Sequence, residues 1–240
     1  MNRFLFFIFA LCLSEISHAQ YGRFVISVAT GPSIPVGAFG SESLANSYAG
    51  YAKAGLNVKG AFGFRLTRFA GVGILVTHSD NPFNTQSFIQ NNNVPGVIWN
   101  GTSGSWKATG GFIGIFYSIP VKRFMFDIKA YRGIMACTSP QLTLNSKDNQ
   151  YHFTQSSGSG FSPYAYDFGT SVKYVVGESK KVFVSGNFDF LYAQPNFYGI
   201  QTTAYTPGSA PSSQSGSFSQ PYSNIMVSFG VGVILGKETY

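Results

Sequence analysis

Apolar and polar residues alternate with a period of two along most of this chain. The alternation falls in eight stretches, at about 21–31, 54–66, 70–79, 106–118, 122–135, 163–176, 181–193 and 223–236. Such a period is the mark of a β-strand with unlike faces. It is sharpest in the last stretch, where Ile225, Val227, Phe229, Val231, Val233 and Leu235 share one parity and Asn224, Met226, Ser228, Gly230, Gly232 and Gly236 the other. The seventh sets Val182, Val184, Phe188, Phe190 and Tyr192 against Ser185, Asn187 and Asp189, and the sixth sets Tyr164, Tyr166, Phe168, Val172 and Tyr174 against Asp167, Ser171 and Lys173. In the fifth, Phe124, Phe126 and Ile128 oppose Asp127 and Lys129; in the second, Val58, Phe62, Phe64 and Leu66 oppose Asn57, Lys59, Gly63 and Arg65. The fourth, from Gly110 to Ser118, has apolar residues on both parities and does not declare its faces.

The links alternate strictly. Long ones at roughly 32–53, 80–105, 136–162 and 194–222 take turns with short ones at Thr67 to Phe69, Ile119 to Val121 and Gly177 to Lys180. A soluble sandwich has no reason to sort its connections by length onto opposite ends, whereas an outer-membrane barrel has tight periplasmic turns and long external loops. The expected fold is therefore all-β: an eight-stranded antiparallel transmembrane barrel of up-and-down topology, closed by pairing of the first and last strands. Closure follows because an open edge in hydrocarbon would strand backbone N–H and C=O groups.

What fills the polar face separates this reading from a one-sided soluble sheet. A water-facing sheet would be rich in Lys, Glu and Thr; here Gly, Ser, Ala and Asn predominate with a few charges of both signs, which suits the filled interior of a small barrel. A Lys or Arg on the lipid face at mid-bilayer would cost roughly 2–4 kcal/mol, and the apolar faces named above carry none. Composition agrees: charged residues make up 10% of the chain, well under the quarter usual for soluble domains. No mature segment reaches the ~20 apolar residues that a spanning helix needs. The inward charges Arg23, Lys59, Arg65, Asp127, Lys129, Asp167, Lys173 and Asp189 form the candidate lumen network. If segments six and seven pair about their short turn, Asp167 and Asp189 lie nearly opposite one another. Either a cation such as Lys129, Lys173, Arg23 or Arg65 then bridges them, or one is protonated.

Residues 1–19 read as a cleaved export signal, leaving 20–240 as the barrel: Asn2-Arg3 is a cationic start, Phe4 to Leu13 an apolar run, and Ser17-His18-Ala19 a small-residue cleavage pattern. Cleavage would remove Cys12 and leave Cys137 alone, so the sheet must hold without a disulfide. The net charge of +7 is unchanged by that loss. Arg65, Arg68, Lys122, Arg123, Lys180, Lys181 and Lys237 cluster toward the short-turn end, as residues bordering lipid headgroups would, and the aromatic interleaving of a nucleic-acid surface is missing. Aromatics gather in two expected girdles: Tyr51, Trp106, Tyr131, Tyr164, Tyr166 and Tyr192 at the long-loop end, and Phe64, Phe69, Phe116, Tyr117, Phe124 and Tyr174 at the other.

The eight-segment layout over the mature chain, the GPSIPVGAFG stretch at 31–40, GYAKAG at 50–55 and the terminal Tyr240 resemble the small outer-membrane barrels of the Bacteroidetes, OmpA/OmpX-like in architecture. Glu238 stands where such barrels usually carry an apolar residue. The resemblance implies an outer-membrane location in a Gram-negative cell.

Enzyme chemistry finds little footing. His78-Ser79-Asp80 sits where lipid A-modifying barrel enzymes hold catalytic groups, but alternation sends Ser79 the opposite way from His78 and Asp80. His152 is the other mature histidine, too few for a metal site. No catalytic residue, cofactor or metal is expected, and the sequon at Asn100-Gly101-Thr102 is idle outside a glycosylating compartment. The long loops, with NTQSFIQNNN at 84–93, TQSSGSGFS at 154–162 and TPGSAPSSQSGSFSQP at 206–221, read as flexible surface segments suited to adaptable binding. The expected role is structural or surface-binding through those loops, with a narrow pore for ions or small apolar solutes as the alternative. The expected partners are outer-membrane lipid and lipopolysaccharide and an unidentified surface ligand or protein; no nucleic acid is expected, and the chain is taken as a monomer.

Overall fold

The computed structural model describes residues 23–92, 96–148, 150–177 and 181–236, the Arg23 side chain excepted. The export signal, Lys180, Lys237, Glu238 and Tyr240 lie outside the described residues. Eight long strands form the wall: β1 (Arg23–Pro35), β2 (Gly55–Arg65), β3 (Ala70–Pro82), β5 (Ser105–Val121), β6 (Phe124–Thr138), β9 (Ser159–Val176), β10 (Val182–Ala193) and β13 (Tyr222–Leu235). Each pairs antiparallel with the next, and β1 pairs with β13 from Phe24↔Leu235 to Pro35↔Asn224, so the sheet closes. The eight predicted stretches are these eight strands.

The outer surface is apolar. Phe229 is 71% exposed and Ile113 70%, whereas Phe112, one residue away, is 1% exposed. That adjacent pair settles the ambiguous fourth stretch: Ile113, Ile115, Tyr117, Ile119 and Val121 face out, and Trp106, Phe112 and Phe116 face in. Inward rings are tolerated because neighbouring inward positions are glycine. A Cβ on Gly71 would stand 2.3 Å from Phe116, and one on Gly232 2.3 Å from Phe183. An exposed apolar belt on a closed wall, with every strand paired on both sides, is the architecture of an outer-membrane barrel. No described helix is long and apolar enough to cross a membrane, and the strands do the crossing.

Three corrections to the sequence reading concern the wall. The second short turn is Lys122-Arg123, with Lys122 at φ 56°, and 119–121 belong to β5. Pro120 fits within β5 because the N–H of Ser118 points to Phe69 on the β3 side, so Pro120 aims its missing donor the same way, beyond the last β3 rung. The girdles are thinner than expected: Tyr51, Trp106, Tyr131 and Phe116 are buried within the barrel or its mouth. Tyr164 and Tyr192 remain outside at the long-loop end, where outward-facing Arg132 lies 5.0 Å over the Tyr164 ring, a place where a cation can reach headgroups. Third, the long links are not simply flexible. They build five further strands, β4 (Trp99–Ser103), β7 (Leu142–Ser146), β8 (His152–Gln155), β11 (Asn196–Tyr205) and β12 (Ser212–Ser219), together with a helix at Thr85–Asn91 and a helical turn at Gly37–Gly40.

Candidate functional site: a filled lumen and an external sheet

Inward parity and barrel closure place most of the candidate charges in one layer. Lys59 on β2 and Lys129 on β6 both pair with Asp189 on β10, Lys129 at 2.8 Å. The carboxylate lies flat because its strand neighbour is Gly169, where a Cβ would sit 1.9 Å from Asp189 Oδ1. Lys173 on β9 pairs with Asp127 on β6 at 2.5 Å, and the Ser118 and Ser171 hydroxyls donate to the same carboxylate at 2.7 and 3.3 Å. Arg65 lies lower, its guanidinium 3.0 Å from the Met125 sulfur. The Arg23 side chain lies outside the described residues.

Asp167 and Asp189 both point inward but are not opposite: Asp189 faces Gly169, and Asp167 faces Leu191 two residues along. Among the described residues no cation bridges the two carboxylates. Asp167 is 1% exposed, and neither of its oxygens has a hydrogen-bond partner there.

Above the charges lies an uncharged polar layer that the sequence did not disclose. Asn81 Oδ1 accepts from Ser33, Tyr222 and Asn224 at 3.2, 3.2 and 3.3 Å, while its amide donates to the Ser33 and Lys53 carbonyls, both at 3.0 Å. Ser79 and Tyr222 share a hydrogen bond of 2.6 Å. The signal was available in the parity of Thr77, Ser79 and Asn81, provided β3 is extended to Pro82. Higher still, the first long link folds back into the mouth. Phe39 is wholly buried against Trp106 and Tyr222, with ring centroids at 5.6 and 4.3 Å, and Trp106 donates to the Gly50 carbonyl at 2.9 Å. Phe197 from β11 completes the plug against Trp106 at 5.5 Å. At the opposite end Val25, Met125, Val175, Phe183 and Ile234 form a second apolar cluster. The charged layer encloses a cavity of about 50 Å³ lined by Lys59, Lys129, Lys173, Tyr131 and Asn187 among others, room for a few waters.

His78 and Asp80 face outward, and Ser79 faces the lumen, committed to Tyr222. His78 Nδ1 instead meets the Thr109 hydroxyl at 2.8 Å, and His152 Nδ1 meets Asn145 at 2.8 Å in the external sheet. Among the described residues no three His, Cys, Asp or Glu side chains are grouped to hold a metal.

The external sheet runs β4-β7-β8-β11-β12 and joins the wall where β11 pairs with β9 at Asn196↔Phe161. The helix packs on β4, where Thr85 and Ile89 fill the space over Gly101. The β7–β8 turn is held by Asp148, which accepts from the Ser146 hydroxyl and the Gln150 amide; these bonds keep its carboxyl below the ordinary range. β12 pairs only with β11 among the described residues, and Ser212 to Ser217 are exposed.

No known family profile and no characterised protein matches the sequence. Among solved structures, the chain is similar to Ail, the attachment invasion locus protein of Yersinia pestis, at 12% identity over 89% of this chain and 99% of that one, with a TM-score of 0.43. It is also similar to a major outer membrane protein from Thermus thermophilus, at 9% identity over 90% and 100% with a TM-score of 0.47, and to Neisserial surface protein A, at 13% identity over 88% and 96% with a TM-score of 0.37.

Proposed function

We propose that this barrel is a non-enzymatic binding protein of the cell surface, engaging partners through the sheet that its long links build. The carrying observation is that three of the four long links, of unremarkable polar composition, are organised into one sheet continuous with the wall rather than remaining separate, with β12 left as an exposed edge. Ordering that much backbone above the membrane is costly in conformational entropy, and a rigid polar surface presenting Tyr198 and Tyr205 beside Ser, Thr and Gln is what recognition uses. The long-loop end faces outward in this reading, as in barrels generally. The stretches at 31–40 and 50–55 support a place among the small barrels of the Bacteroidetes.

The narrow-pore alternative fits less well. Ion pairs, an amide–hydroxyl layer and an aromatic plug succeed one another along the lumen, and the space among the charges is about 50 Å³. Cells displaying the protein should bind members of an immobilised glycan and peptide array. Replacing 200–216 by a two-residue turn should remove that binding while heat-modifiable migration on gels persists. Binding that is indifferent to the replacement, or conductance steps in planar bilayers from the intact protein, would overturn the proposal.

A further inference from the structure

The β12 edge has a property unusual for an exposed strand. Folded proteins guard free edges with lysines, prolines or bulges, because a row of unpaired N–H and C=O groups templates the addition of another strand. From Ser212 to Ser219 there is no charge and no proline, and the chain carries no charged residue anywhere from 194 to 221. The partner strand β11 takes up the local irregularity of this pairing, between Phe197 and Ile200, and leaves β12 straight.

We propose that β12 pairs with β12 of a second copy of this protein on a facing cell; this rests on the surface-binding reading above and names its partner. Two observations favour a copy of itself, held in a facing membrane. The first is charge. A self-complementary interface brings the residues at its two-fold axis against their own symmetry mates, so a charge there would meet its like. Pairing centred on Ser215 sets Ser215 against its own mate, Gln214 against Gly216, Ser213 against Ser217 and Ser212 against Phe218, all without charge.

The second is direction. β11 leaves the wall paired to β9, rises over ten residues, about 33 Å of strand, and β12 returns antiparallel to it, so the free edge stands with a component along the membrane normal. Two copies in one membrane are related by an axis along that normal, which would set their β12 strands parallel. Two copies in facing membranes are related by an axis lying between the membranes, which sets them antiparallel, the better ladder. One eight-residue pairing is weak; an array of them across a cell–cell contact is not.

The test uses two cell populations, coloured differently and both displaying the full protein in the outer membrane, with mixed-colour aggregates counted by flow cytometry. Wild type on both populations should aggregate, and wild type mixed with cells lacking the protein should not. S215K on both populations, or S215E on both, should reduce aggregates to the level of cells without the protein, and mixing S215K cells with S215E cells should restore them. Heat-modifiable migration verifies that each variant has folded. Aggregation that needs the protein on one side only, that persists with S215K on both sides, or that never occurs in wild type overturns the self-pairing. The array contrast between full-length and trimmed protein judges the broader binding role independently of these results.

Discussion

The lower and upper halves of the lumen are filled by opposite means. Below, Lys59 and Lys129 share Asp189 and Lys173 pairs with Asp127 in a layer with a small cavity; above, Phe39, Trp106, Tyr222 and Phe197 stack around an uncharged Asn–Ser–Tyr network. In the lower layer each group is tolerated only because its partner is present, so damage is all-or-none. In the plug, contacts are many and individually small, so damage scales with the volume removed.

The most direct way to break this contrast is Asp189→Ala, which strands two buried ammonium groups. About 3–5 kcal/mol of stability should be lost, read from urea unfolding of the protein out of lipid vesicles. A loss below about 1 kcal/mol would mean that Lys59 or Lys129 had turned to Asp167. Trp106→Ala tests the plug: removing a buried ring costs about 3 kcal/mol and should also make Cys137, buried in the same cluster, open to thiol reagents. Protection of Cys137 in that variant would show that Phe39 and Phe197 close the gap.

The small-beside-large rule gives a sharper pair. Gly71→Ala drives a Cβ to 2.3 Å from Phe116 and 2.5 Å from a backbone oxygen, overpacking that costs about 1–3 kcal/mol. Gly60→Ala, with nothing within 4 Å, should be tolerated or mildly stabilising by about 0.5 kcal/mol. Next, replacing both members of a pair should be milder than replacing one: Asp127→Asn with Lys173→Met should lie within about 1 kcal/mol of wild type, and Asp127→Asn alone should be clearly worse. The smallest effect belongs outside the lumen, at Asp148. Its carboxyl is held low by the Ser146 hydroxyl first and the Gln150 amide second. The turn's support is therefore intact above the ordinary carboxylate range and lost as pH falls through the lowered value, which amide exchange in β7 and β8 should report while the wall stays protected.

The wall could be read from the sequence because the membrane forces its two faces apart, so Val231 and Gly230 cannot trade places. The external strands could not. β12 carries serine alone on one face and Ser212, Gln214, Gly216 and Phe218 on the other, and a single apolar residue makes no period to detect. Where the interior itself is mixed the pattern also blurs: Phe116 points inward over Gly63 and Gly71 of other strands, a relation no single segment contains. The lysines and aspartates of the lumen were visible as inward charges, but their partners were not, because Lys59 and Asp189 are 130 residues apart and meet only across the closed barrel. Phe39 was hidden more completely, since nothing local distinguishes a loop ring that enters a mouth from one that faces water.

The Asn81 hub joins β3 to Ser33 on β1 and to Tyr222 and Asn224 on β13. It therefore bolts, from within, the very seam where the first and last strands meet. Prising that seam apart to release a lipid or admit a client strand sideways would leave amides and hydroxyls bare in hydrocarbon, a cost that any lateral opening there would have to meet.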